Sequence, residues 1–124
     1  LAAIDARMGE IYLGEFTRDA DGLVSAAGPE ILCAPSEAPI PDVPMPGVGS
    51  GFAAGDGALV ARLGDRLSGF DAGALPQAKD LATLAVRAWQ RGEAIAADAL
   101  EPAYLRDKVA LTLAEQGKTP PSAA

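Results

Sequence analysis

The sequence is most constrained near its start, where a short turn separates two apolar-rich runs. The runs cover residues 1–6 and 10–17, and the segment between them ends at Gly9. Glycine carries no Cβ atom and readily adopts the positive φ that a tight chain reversal needs. The pattern therefore predicts a β-hairpin.

The second run carries apolar groups on both of its faces. Successive side chains of a strand point to opposite sides. Tyr12 and Phe16 would lie on one face, and Ile11 and Leu13 would lie on the other. Because sheets with two apolar faces are usually covered by helices, we predict an α/β fold in which helices flank a mixed sheet.

The rest of the chain predicts strands and helices in alternation. A third strand from about Leu23 would extend the hairpin into a meander, and the proline-rich segment 35–46 would be a linker with a short helical turn near residues 36–38. Residues 47–51 would form a short strand that runs into a glycine-rich turn and then a helix, and a second helix would start at about Pro76 and end at Gly92. Apolar residues at helical spacing define the inner stripes of these two helices: Leu59, Val60, Leu63 and Leu67 in the first, and Leu81, Leu84, Ala85 and Ala88 in the second.

Composition narrows the possible functions. The chain has 124 residues, of which 49% are hydrophobic, which suits a single domain with an apolar core. A net charge of -7 repels nucleic-acid phosphates, so we expect no direct nucleic-acid binding by this segment. No apolar run approaches the roughly 18 residues of a membrane helix. We expect a cytoplasmic protein that makes no membrane contact.

The chain contains no histidine, which is the usual acid–base group near neutral pH and the commonest metal ligand. Ser-His-Asp, Cys-His and His-zinc sites are therefore excluded within this chain. Its single cysteine, Cys33, lies in an apolar stretch and cannot form an internal disulfide. We expect a buried, inert thiol in a reducing compartment. No catalytic residue and no metal site is predicted.

A glycine-rich turn provides the candidate cofactor contacts, Gly49 and Gly51. Backbone amides in a strand, turn and helix unit can hold a phosphate group. The turn has no lysine of the kind that phosphate-binding loops use. The alternative is that glycine is needed there only for the geometry of the turn.

Two acidic residues flank the predicted hairpin turn. Asp5 and Glu10 could do acid–base work or hold a cation if they approached each other. Arg7 lies between them in sequence and would neutralise them, which favours a structural role.

The candidate partner contacts are Tyr104, Leu105 and Arg106, since an aromatic, an aliphatic and a guanidinium group together are common at protein interfaces. Pro102 disfavours helix just before them. A buried edge strand explains the same residues equally well. Trp89 borders the stripe of the second helix and is open to core packing or to a partner contact.

Residues 4–12, with the sequence IDARMGEIY, strongly resemble the DARMGEVY signature of the bacterial TsaB (YeaZ) family. The later landmarks of that family follow in the same order: a GVGSG turn at 47–51, a proline-led helix at 76–82, and PAYLRD at 102–107. Together they cover residues 1 to about 110.

The resemblance implies an actin-like, ribonuclease-H-like (ASKHA) fold with two related α/β lobes. Residues 1–115 would form the second, C-terminal lobe, residues 116–124 a disordered tail, and the N-terminal lobe would be missing from this chain. Members of the family resemble inactive relatives of the M22 glycoprotease-like subunit TsaD. The implied function is a non-catalytic scaffold that binds TsaD and the ATPase TsaE while a threonylcarbamoyl group is transferred to the adenosine beside the tRNA anticodon.

Other functions stay open beside the scaffold. The resemblance also allows a homodimer when the protein is alone. It implies no resident cofactor, with ATP or ADP bound only at a partner interface of the full complex. The alternative is a nucleotide-binding, ATPase-like or kinase-like enzyme of the actin-like superfamily, with Gly49 and Gly51 near the adenosine. A protease is disfavoured by the lack of histidine.

Overall fold

The structure is a computed structural model that describes residues 1–106. The end of the predicted lobe, 107–115, and the predicted disordered tail, 116–124, lie outside the described residues. The strands are β1 (Ala2–Arg7), β2 (Glu10–Gly14), β3 (Phe16–Arg18), β4 (Val24–Ala26), β5 (Ile31–Cys33), β6 (Met45–Val48) and β7 (Leu67–Asp71). The α-helices are α1 (Ala58–Leu63) and α2 (Ala78–Gln90).

Five strands form a mixed sheet in the order β5-β2-β1-β6-β7. The predicted hairpin is confirmed, since β1 and β2 pair antiparallel, and β5 adds antiparallel to β2. β6 runs parallel to both β1 and β7. Helix α1 and the 3-10 turn at Ser50–Phe52 pack on one face of this sheet, where the buried core consists of Ala3, Ile11, Leu13, Ala38, Phe52, Leu59 and Leu63.

The sequence prediction is wrong about the pairing of the third strand and about the end of the first helix. The third strand exists as β4, but it pairs with β3 in a separate two-stranded sheet and does not extend the hairpin. Leu67 does not belong to the first helix, because α1 ends at Leu63 and Gly64 turns the backbone to φ 51°. Leu67 instead begins β7, a strand that the sequence pattern does not predict.

The proline-rich linker contains a 3-10 turn at Pro35–Glu37, close to the predicted helical turn. At the other end of the described chain, residues 101–106 form no regular secondary structure, so the buried edge strand is not found there. Tyr104 has φ 42° and 76% of its surface is exposed.

Helix α2 has the predicted end, since Gly92 has φ 74° and its N–H donates to the Trp89 carbonyl. Its predicted inner stripe, however, is not buried. No residue of α2 is buried, and Leu81 and Trp89 are 69% and 73% exposed. Arg87 attaches the helix to the turn between β3 and β4 through ion pairs with Asp19 (2.6 Å) and Asp21 (2.8 Å). Neither of the two described helices is long and apolar enough to cross a membrane.

Candidate functional site

The hairpin turn at residues 7–9 has an unusual backbone. Three consecutive residues, Arg7, Met8 and Gly9, have positive φ values of 63°, 57° and 79°. The pairing register also shifts between Asp5 and Arg7, so β1 carries an extra residue there. Left-handed backbone at residues other than glycine is unfavourable and is often found at functional sites.

Each acid of the hairpin is paired with an arginine. The Arg7 guanidinium lies 3.1 Å from the Asp5 carboxylate, which also accepts the Arg7 backbone N–H at 2.8 Å. The Glu10 carboxylate lies 2.9 Å from the Arg106 guanidinium. Among residues 1–106, no three side chains of the His, Cys, Asp and Glu types come together in a way that could hold a metal ion.

The three candidate partner contacts lie in different surroundings. The Tyr104 side chain is exposed, whereas Leu105 is half-buried and lines a hollow together with Tyr12. Only 12% of the Arg106 side chain is exposed, because its guanidinium points back onto the hairpin turn. It donates to the Ala6 carbonyl at 2.8 Å in addition to pairing with Glu10.

The glycine-rich turn packs tightly against β1. A Cβ atom on Gly49 would lie 2.3 Å from the Ala3 carbonyl oxygen, and one on Gly51 would lie 2.7 Å from the Ala3 Cβ. Gly49 also has φ 108°, and its N–H donates to the Asp71 carbonyl at 2.9 Å. Close packing of backbone is thus a sufficient reason for glycine at both positions.

Cys33 lies in β5 and is half-buried, so the prediction of a buried thiol is only partly right. Burial, with smaller contributions from the charges of Glu37 and Glu10, raises the pKa of the Cys33 thiol. A raised pKa keeps the thiol protonated and weakly nucleophilic, as expected for an inert cysteine.

No protein-family model matches the chain. It is 34% identical to the tRNA threonylcarbamoyladenosine biosynthesis protein TsaB of Escherichia coli (strain K12), over 89% of this chain and 48% of that protein. Two solved structures from Pseudomonas aeruginosa are also similar. One is YeaZ, at 37% identity and a TM-score of 0.70 over 83% of this chain. The other is an uncharacterized protein with similarity to peptidase YEAZ, at 38% identity and a TM-score of 0.72 over 85% of this chain.

This chain belongs to the TsaB (YeaZ) family. It spans about half the length of these TsaB relatives, 48% in each case. The predicted α/β, actin-like fold is confirmed by the shared YeaZ architecture.

The sequence pattern does not predict the ion pair between Glu10 and Arg106, although each residue lies within one of the motifs that carry the TsaB resemblance. The two residues are far apart in sequence, and neither motif has a periodicity that indicates its neighbours. The only indication of the pair in the sequence is charge, because the PAYLRD motif at 102–107 contains one arginine and the hairpin contains acids.

Proposed function

We propose that this chain is part of a non-catalytic subunit that takes part in the biosynthesis of threonylcarbamoyladenosine in tRNA. The relationship to TsaB is the observation that carries this proposal. These 124 residues contain no histidine, so this part of the subunit cannot supply the commonest acid–base group. Both acids of the hairpin, Asp5 and Glu10, form ion pairs with arginines, which also supports a non-catalytic role for them.

The proposed partners are the catalytic paralogue TsaD and the ATPase TsaE, with a homodimer as an alternative assembly. Exposed aromatic side chains support a binding role, since tyrosine and tryptophan contribute strongly to protein interfaces. Tyr104 and Trp89 are both more than two-thirds exposed. Tyr104 therefore stays a proposed partner contact, whereas Arg106 would influence binding through the hairpin turn.

A hybrid protein tests the proposed function in cells. In the hybrid, this chain replaces the matching half of E. coli TsaB. The hybrid is the sole source of TsaB in the test strain. We expect the tRNA of this strain to contain threonylcarbamoyladenosine, measured by mass spectrometry of its nucleosides. Unchanged E. coli TsaB is the positive control, and TsaB without the matching half is the negative control. A folded, expressed hybrid that leaves the tRNA unmodified would contradict the proposal.

Nucleotide titration tests the enzyme alternative. The chain is titrated with ATP and magnesium in a calorimeter, and phosphate release is followed in parallel. We expect no turnover by the chain alone, because the glycine-rich turn is occupied by packing against Ala3. Saturable nucleotide binding with turnover by the purified, folded chain would favour a nucleotide-dependent enzyme.

A further inference from the structure

The hairpin turn combines two departures from an ordinary β-hairpin. A two-residue turn with positive φ at both positions normally carries asparagine or glycine at the first of them, but here that position is Met8, with φ 57°. Arg7, the residue of β1 that pairs with Glu10 just before this turn, also has a positive φ of 63°, which is unfavourable for a residue other than glycine. The local sequence therefore does not favour the conformation that the turn adopts.

Contacts from outside the turn offset the free-energy cost of this backbone conformation. The register shift skips Ala6 in the β1–β2 pairing, and just after it the Asp5 carboxylate accepts the Arg7 backbone N–H at 2.8 Å. Arg106 reaches the turn from 100 residues further along the chain, and its guanidinium donates to the Ala6 carbonyl at 2.8 Å and to the Arg7 carbonyl at 3.4 Å. A planar guanidinium can serve several acceptors at once in a fixed geometry.

The charge of Arg106 is balanced at the same place. The Glu10 carboxylate, at the first position of β2, lies 2.9 Å from the Arg106 guanidinium. Since the arginine side chain is only 12% exposed, solvent screens this pair less than an ordinary surface pair. Residues from both strands of the hairpin therefore bind one guanidinium, on both sides of the turn.

We propose that Arg106 is a positioning residue: its side chain is a strap that holds residues 7–9 in their left-handed conformation. The strap keeps the exposed side chains of Arg7 and Met8 in one fixed arrangement at the tip of the hairpin. This role is independent of the proposed function, because it follows from contacts within the chain alone.

Amide hydrogen exchange on the 124-residue chain tests the strap. In the Arg106→Ala variant we expect exchange of residues 5–11 to accelerate about tenfold or more, while exchange of residues 45–52 changes much less. Arg106→Lys keeps the charge but loses the guanidinium fork, so it should give an intermediate acceleration. Arg91→Ala is the matched control, because Arg91 pairs locally with Glu93 in the loop after α2.

A second background separates the strap from general destabilisation. Met8→Asn supplies the residue that the turn prefers, so the turn should need the strap less. In this background the acceleration caused by Arg106→Ala should fall several-fold. Equal acceleration with and without Met8→Asn would overturn the proposal, and so would an Arg106→Ala variant whose hairpin exchanges like that of the unchanged chain. If Arg106→Ala does not fold, the same comparison is made with Arg106→Lys.

Discussion

The packed sheet and helix α2 are held in different ways. Every buried residue of the core lies between residues 3 and 63, where α1 and Phe52 cover one face of the sheet. Helix α2 has no buried residue and is attached to the β3–β4 turn by the ion pairs of Arg87. Burial of apolar surface contributes far more free energy than exposed ion pairs do. The sheet therefore provides most of the stability of the fold, whereas α2 contributes only partly buried residues, such as Leu84 and Ala88, and the ion pairs of Arg87.

The largest loss of stability should come from a substitution in the buried core. Phe52 is 1% exposed and stacks on Phe70 with 5.7 Å between the ring centroids. Phe52→Ala should lower the free energy of unfolding by about 3 to 5 kcal/mol, because it leaves a cavity. Urea unfolding measures the change. Leu81→Ala in α2 is the matched control and should cost less than about 1 kcal/mol. Similar losses in the two variants would mean that α2 is packed as firmly as the core.

A smaller effect should come from the close approach of the glycine turn to β1. Gly49→Ala puts a Cβ atom against the Ala3 carbonyl oxygen and forces alanine to adopt φ 108°. We expect a loss of about 2 to 4 kcal/mol in the free energy of unfolding, from strain and overpacking. Gly28→Ala, which meets nothing within 4 Å, is the control. A Gly49→Ala variant as stable as this control would show that the turn can move away from β1.

The attachment of α2 should respond to charge and salt. Arg87→Ala removes the ion pairs to Asp19 and Asp21 and should cost at most about 1 kcal/mol, because these side chains are partly exposed. Hydrogen exchange of the α2 amides should accelerate in this variant and also in the unchanged chain at 1 M salt, where surface charges are screened. If neither change affects α2, the ion pairs do not hold it.

The smallest expected effect concerns the reactivity of the Cys33 thiol and not the stability of the fold at neutral pH. The raised pKa of the Cys33 thiol means that folding disfavours its thiolate. This contribution to stability is complete below the thiol's unfolded pKa and is lost as the pH rises through the folded pKa. At pH 8 we expect Cys33 to react several-fold more slowly with a disulfide reagent than it does in urea.

A cysteine on α2 gives the matching measurement for the other region. In a Cys33→Ser background, Val86→Cys places the thiol on an exposed helix position. This thiol should react at nearly the same rate in the folded chain and in urea. A slow reaction at position 86 would show that another surface covers this side of α2.

The sequence predicted those parts of the fold that depend on neighbours along the chain. The β1–β2 hairpin, the helical turn near residue 36 and the end of α2 at Gly92 follow from local turn chemistry and periodicity. Leu67 was misassigned, because its spacing continues the α1 stripe and only the backbone at Gly64 ends the helix. The three residues of β5 are too few to give a recognisable alternation.

The candidate site was predicted less completely, for the same physical reason. Asp5 and Arg7 are close in sequence, and their ion pair agrees with the structural role inferred for these charges. The contacts of Arg106 with Ala6 and Glu10 depend on the path of the whole chain, which no local pattern contains. Sequence resemblance located both motifs, and only the fold shows that they touch.

The contact between Arg106 and the hairpin also has a consequence for the order of events in folding. Strands β1 and β2 are joined by a short turn, and hairpins of this kind form within microseconds. The bond from Arg106 to Ala6 closes a loop of 100 residues and carries the entropy cost of that closure. We therefore expect it to form after the rate-limiting barrier, so that removing it speeds unfolding and leaves the folding rate nearly unchanged. Arg106 would then slow the unfolding of the native state.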